Sequence, residues 1–389
     1  MPESLFDLIL GAEVRAARIE GHLATDPVIA AQWRAEAAVA ESVASIGLED
    51  IRVSETDLLM RVSENPEIHA DVRAVEDALS ALRFLRSPGD PGDEPKTVLE
   101  RIARLAARAE TDEPLPDMDL ELQNVFQHCK GRAPILEAIR ASASYAALTE
   151  RRSPVGERLV FVAAEHLSRG RVVGSSSHAA RQDDPLRGLG GRVDASWVVL
   201  PSLALTRMKF RIWSPLNPQS VRDFLRGVSG ILDQELGRLI AIRSWHQQAN
   251  EIAHSAHGRS RLPDAISAFG VEPILTSAAL AERIGVTPRG ALNLLDKMVS
   301  SGLLVELTRR RSARIWSTPG LAALLAKRVT PSIGRSSSKF GQEAKPGPGT
   351  HSDVSGEGRA AVERALTEFD AVLEKVDGIL ARIGDHRHD

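Results

Sequence analysis

Cysteine is almost absent from this chain, and Cys129 is its only thiol. A single cysteine forms no intramolecular disulfide and no cysteine-rich zinc site, and it fits a reducing, cytoplasmic setting. Aromatic residues are scarce at 4%, with Tyr145 the sole tyrosine. No apolar stretch approaches the ~20 residues that a bilayer-crossing helix needs, so no membrane partner is expected. The opening "MPESLFDLILGAEVR" is acidic ahead of a short apolar run and has no basic flank, so it is not expected to act as a signal peptide. Neither sign of charge prevails, the net being -3. The distribution is uneven, however. Residues 1–120 hold 25 Asp and Glu against 12 Lys and Arg, whereas 262–330 hold 9 basic residues against 5 acidic ones.

Ala, Leu, Arg and Glu dominate what is present, which favours helix. A chain of 389 residues exceeds one ordinary core, so two or three folded units are expected. Asp26-Pro27 reads as an N-cap with a first-turn proline, opening a helix that closes at Gly47. Asn65-Pro66 repeats the device ahead of an apolar face of Val72, Val75, Leu79, Leu82 and Leu85. Thr97 and Glu100 have the spacing of a capping box. "SWVVLPSLALTRMKF" fits a buried helix or a strand equally. The amphipathic run from Ser220 to Ala256 is predicted to break near Gly227 or Gly230. Residues 331–358 read as a flexible linker. After them Val362, Leu366, Phe369, Leu373, Val376, Leu380 and Ile383 recur at the alternating spacing of a heptad seam.

The most specific signal begins at Ser277. Leu280, Ile284, Val286, Ala291 and Leu294 fall where two helices must pack together, and Ala281 where they pass closely. Gly285 falls at the turn, where a left-handed backbone costs glycine least. Thr287 caps the second helix and Pro288 occupies its first turn. "LLVEL", "TRRRS" and "ARIWS" then read as strand, turn and strand, the wing of a winged helix. Arg289, Asn293 and Lys297 are the candidate base-facing residues, since Arg and Asn make bidentate pairs with guanine and adenine. Arg309, Arg310, Arg311 and Arg314 suit phosphate or the minor groove. The alternative is that these are solvated polar residues on a winged helix used for protein contacts. His246, His254 and His257, with Glu251, read as a solvated helix end, so neither metal nor cofactor is expected. Cys129 reads as a buried core thiol.

"GVEPILTSAALAERIGVTPRGALNLLDKMVSSGLLVELTRRRSARIW" resembles the winged-helix tail that follows the Fic domain in many bacterial Fic proteins. "AAVAESVASIGLEDIRVSETDLL", residues 37–59, is similar to the N-terminal Fic region. In that family an (S/T)xxxE(G/N) motif inhibits the enzyme by setting its glutamate against the nucleotide phosphate site. The match here is Ser45 and Glu49, with Asp50 replacing the final Gly or Asn. Active Fic enzymes also need HxFx(D/E)GNGR, and none of the eleven histidines begins it. "SPVGERLVFVAAEHLSRG" looks like the helix after that loop, but "RRSPVGER" lacks the histidine, the acid and the GNGR. "DPLRGLGGR" echoes the spacing with Asp184 and Gly188 in place of the histidine and the acid.

The resemblance is to bacterial proteins that join a degenerate Fic-like helical body to a C-terminal helix-turn-helix. The expected fold is mainly α. It comprises a helical N-terminal domain over 1–150, a degenerate Fic-like region over 151–258 and a winged helix-turn-helix over 262–330. The linker, 331–358, and an amphipathic helix, 359–385, complete it. The expected function is binding of double-stranded DNA as a homodimeric transcriptional regulator. A divergent Fic-type nucleotidyl transferase is the alternative, as is an antitoxin-like interaction partner in which Glu49 acts in trans.

Overall fold

Asp26 ends one helix and begins another. Its extended backbone interrupts the helical run, its side chain accepts from the amides of Val28 and Ile29, and Pro27 sets φ for the new first turn. The computed structural model in which this is seen describes residues 4–62, 72–107, 120–149, 153–173, 194–208, 214–256, 260–308 and 314–323. Among these are thirteen α-helices, one short 3-10 turn and three short strands, so the chain is mainly α. No described helix is long and apolar enough to cross a membrane. Every described residue lies within one compact unit, residues 1–325. The expected linker and C-terminal amphipathic helix lie outside the described residues.

Ten helices build the body: α1 (Leu5–Thr25), α2 (Pro27–Gly47), α3 (Glu55–Val62), α4 (Val72–Arg86), α5 (Pro95–Ala107), α6 (Leu120–Gln123), α7 (Pro134–Leu148), α8 (Pro154–Val173), α9 (Pro201–Arg207) and α10 (Pro218–Ser255). Helix α2 runs through the middle and packs on α4, α9 and α1. Every residue from Ala35 to Ser42 is buried, as befits a helix covered on all sides. Helix α7 packs on α8, so the boundary expected at 150 falls between two packed helices.

Three local expectations are corrected. Val72 opens α4 but is 65% exposed, outside the buried face of Val75, Leu79, Leu82 and Leu85. Helix α5 starts at Pro95, so Thr97 lies inside it and forms no capping box; Glu100 pairs instead with Lys96 at 3.9 Å. Helix α10 is continuous over 38 residues and does not break at its glycines. Gly227 and Gly230 are there because α9 crosses closely. A Cβ at Gly227 would lie 2.6 Å from the Ala204 carbonyl oxygen, and one at Gly230 would lie 2.7 Å from Arg207 Nε. The ambiguous "SWVVLPSLALTRMKF" divides: Trp197–Leu200 are buried and belong to neither helix nor strand, and α9 begins at Pro201.

Carboxylates from remote helices tie these elements together. Neither α7 nor α9 has a side-chain cap of its own. Glu13 on α1 accepts from the Ile135 and Leu136 amides at 2.7 and 3.3 Å, and Glu41 on α2 accepts from those of Ser202 and Leu203 at 2.7 and 3.1 Å. These amides would otherwise lack intrahelical partners. Burial pushes each carboxyl up to about 7, against the pull of those amides and of a nearby arginine. Arg238 on α10 binds Glu36 at 2.8 Å and Glu235 at 3.0 Å, and Trp33 Nε1 donates to Glu235 at 2.9 Å.

Candidate nucleic-acid interface

Past α10 the chain forms a small module: α11 (Leu262–Val271), β1 (Ile274–Thr276), α12 (Ser277–Ile284), α13 (Pro288–Ser300), β2 (Val305–Glu306) and β3 (Ile315–Ser317). The strands lie in the order β1-β3-β2, antiparallel throughout, with Leu275 opposite Trp316 and Glu306 opposite Trp316 from the other side. Strand β1 has only three residues, too few to show a period in the sequence.

The turn between α12 and α13 forms for reasons visible in its residues. Thr276 caps α12 by accepting from the Ala279 amide at 3.1 Å. Gly285 ends that helix at φ 65°, ψ 44°, in the left-handed region where glycine has no Cβ penalty. Val286 N then donates back to the Ala281 carbonyl at 3.0 Å. Thr287 Oγ1 accepts from the Gly290 amide at 3.1 Å, and Pro288 follows in the first turn of α13.

Ala291, Leu295 and Met298 bury one face of α13 against Leu280, Ala281, Ile284, Leu303 and Trp316. Val286 and Leu294 are only partly buried against this core. The deepest contacts therefore come from Leu295 and Met298. Arg289, Asn293 and Lys297 are exposed, one turn apart along the other side. Asp296, also exposed, brings a carboxylate to the same stretch of the helix.

The hairpin is braced by Arg314. Its Nε donates to Glu306 at 2.8 Å across β2 and β3, and the guanidinium lies over the Trp316 ring, 4.8 Å from its centroid. Arg309, Arg310 and Arg311 lie outside the described residues. A feature missed in the sequence is that α10 supplies part of this core. Trp245 and Ala249 belong to it, and Trp245 Nε1 donates to the Leu303 carbonyl at 2.8 Å.

The second group of candidate residues is in the body. Ser45 is buried in α2, and Glu49 lies in the turn just after it. Arg158, near the start of α8 and 1% exposed, donates to Glu49 Oε1 at 2.8 Å and to the Ser45 carbonyl at 3.2 Å. Asp50 has φ 61°, a left-handed conformation that Asp tolerates and that Gly or Asn adopts readily. The window containing Asp184 and Gly188 lies outside the described residues. Of the three histidines, His257 also lies outside them and His254 is exposed. His246 is not solvated as expected, since its Nε2 meets Gln32 Oε1 at 2.8 Å. Among the described residues no three His, Cys, Asp or Glu could share a metal ion. Cys129 is buried.

No known family profile matches the chain, and no curated protein is significantly similar to it.

Proposed function

We propose that the module from 260 to 323 is a winged helix-turn-helix that reads duplex DNA, with α13 as the recognition helix, and that the chain acts as a transcriptional regulator. The observation that carries this is the division of α13. One side holds the module's core through Ala291, Leu295 and Met298, while Arg289, Asn293 and Lys297 stand free on the other. A helix buried on one side and carrying Arg and Asn on the other meets the needs of major-groove readout. Arg309, Arg310 and Arg311 would add phosphate contacts. Arg314, already engaged by Glu306, shapes the hairpin that carries them. A homodimer would present two such helices to half-sites about 34 Å apart.

The test begins with selection of a preferred site from random duplex DNA. Binding to unrelated duplex should show a Kd of ~10⁻⁴ to 10⁻⁶ M and weaken with salt. Replacing Arg309, Arg310 and Arg311 by Ala should weaken binding to every sequence and flatten the salt dependence. Arg289→Ala should cost ~1–3 kcal/mol on the preferred site alone. Equal losses on preferred and random DNA would remove Arg289 as a base reader, and no duplex binding at all would remove the proposal.

A second reading concerns the body and is favoured by the contact between Glu49 and Arg158. If the body is of Fic-like descent, Glu49 is the counterpart of the inhibitory glutamate, tied to Arg158 on a body that lacks HxFx(D/E)GNGR. Labelled ATP and magnesium should then give no self-labelling, either in the native chain or in Glu49→Gly. Labelling that appears only in Glu49→Gly would restore the nucleotidyl transferase.

A further inference from the structure

Two neighbours on α10 face opposite ways. Trp245 reaches into the module's core, while His246 reaches back to the body. The His246 ring stands edge-on to Trp245, with centroids 4.9 Å apart. Gly270 of α11 also lies against the ring, where a Cβ would sit 3.2 Å from His246 Cε1 and 3.8 Å from Nδ1. The ring is therefore held between α2 of the body and α11 of the module.

Hydrogen bonding settles its tautomer. Glu36 can only accept, and it takes Gln32 Nε2 at 3.0 Å, which turns Gln32 Oε1 toward the histidine. His246 must then donate from Nε2, leaving Nδ1 as the bare nitrogen. A second proton would go onto Nδ1, at the ring edge that lies against α11. The charged groups around it are unevenly placed. Asp26 and Glu36, on the α2 side, attract a cation. Arg238 is bound to Glu36 and Glu235, and Arg243 reaches His22. The carboxylates flanking α11, Asp264 and Glu272, are paired with Arg261 and Arg283.

We propose that His246 is a pH-sensitive latch between body and module: neutral, it joins Gln32 to the face of α11 at Gly270; protonated, it releases α11. Burial at the joint holds the His246 imidazole below its ordinary range, with Asp26 and Glu36 opposing. Linkage is reciprocal, so whatever the closed joint does to proton affinity, protonation does to closure. The joint is fully closed above the ordinary 6.5 of a histidine and loosens as the pH falls from there through the depressed value. The proposal does not depend on what the module binds.

Amide hydrogen exchange on the full chain tests it, with rates normalised to an unfolded chain at about pH 7.5 and about pH 5.5. Residues 262–271 should exchange about fivefold faster or more at the lower pH, the low end of couplings between sites, while residues 5–25 stay protected. His246→Gln keeps a donor for Gln32 but cannot take up the proton, so α11 should stay protected at both values. Gly270→Val displaces the ring without changing charge, so α11 should exchange fast at both. Equal protection of wild-type α11 at the two values would overturn the latch. So would an acid response that survives in His246→Gln, wild-type protection in Gly270→Val, or acceleration shared by residues 5–25.

Discussion

Arg238→Met should destabilise the full chain by ~3–5 kcal/mol, the cost of leaving buried charges without their partner. Glu36 and Glu235 are 1% and 2% exposed, and both lean on this one guanidinium. Trp33 and Gln32 each give one of the carboxylates a further hydrogen bond, but neither supplies charge. The loss should therefore come mainly from two uncompensated anions and only secondarily from packing. Adding Glu36→Gln and Glu235→Gln to Arg238→Met should recover most of it, because neutral amides bear burial far better than carboxylates. Urea denaturation of the single and triple variants measures both numbers. A loss below ~1 kcal/mol for Arg238→Met would mean that solvent reaches the site and screens it.

Glu13 and Glu41 should stabilise the chain as the pH falls from about 8 toward 5, with the buried His166 and His246 working against them below 6.5. Glu13 and Glu41 stand at about 7 in the folded chain, well above their ordinary value of 4.5. Between those two values the folded state holds more protons than the unfolded one, so stability declines with rising pH across that window. Their contribution is complete below 4.5 and lost above 7, roughly 3 kcal/mol for each group. Glu13→Gln isolates one of them. The same oxygen of Glu13 accepts from both Ile135 and Leu136, so the amide of Gln keeps both bonds. The variant should match the native chain near pH 4.5, exceed it near pH 8, and show a shallower dependence between. Lower stability than the native chain at pH 8 would mean that the attraction of Arg169 for the carboxylate's charge outweighs the cost of burying it.

What could be read from the sequence was whatever neighbours in the chain decide. The start of α2 at Asp26-Pro27, the left-handed turn at Gly285 and the cap at Thr287 each depend on residues within one turn. The exposed face of α13 was legible from periodicity alone. Its deepest contacts were less so, because consecutive leucines at 294 and 295 leave the centre of the buried stripe undecided. Contacts between distant segments were not legible. Nothing near Gly227 announces that α9 passes it, so a packing glycine reads as a helix break. The caps of α7 and α9 come from Glu13 and Glu41, more than a hundred residues away. His246 looks like a solvated histidine until Gln32 is placed beside it.

The continuity of α10 has a consequence for how the module could be exchanged between proteins. At about 1.5 Å per residue the helix is roughly 57 Å long. Its earlier turns bury Phe224, Val228 and Leu232 in the body, while its last turns lend Trp245 and Ala249 to the module. A segment cut out at residue 260 would leave behind the indole that binds Leu303 and open the inner face of α11 to water. Recombination that moved the module intact would have to carry the end of α10 with it. The new host would then need a helix whose phase continues into Trp245, since each residue added or removed before that point turns the module by about 100° about the helix axis.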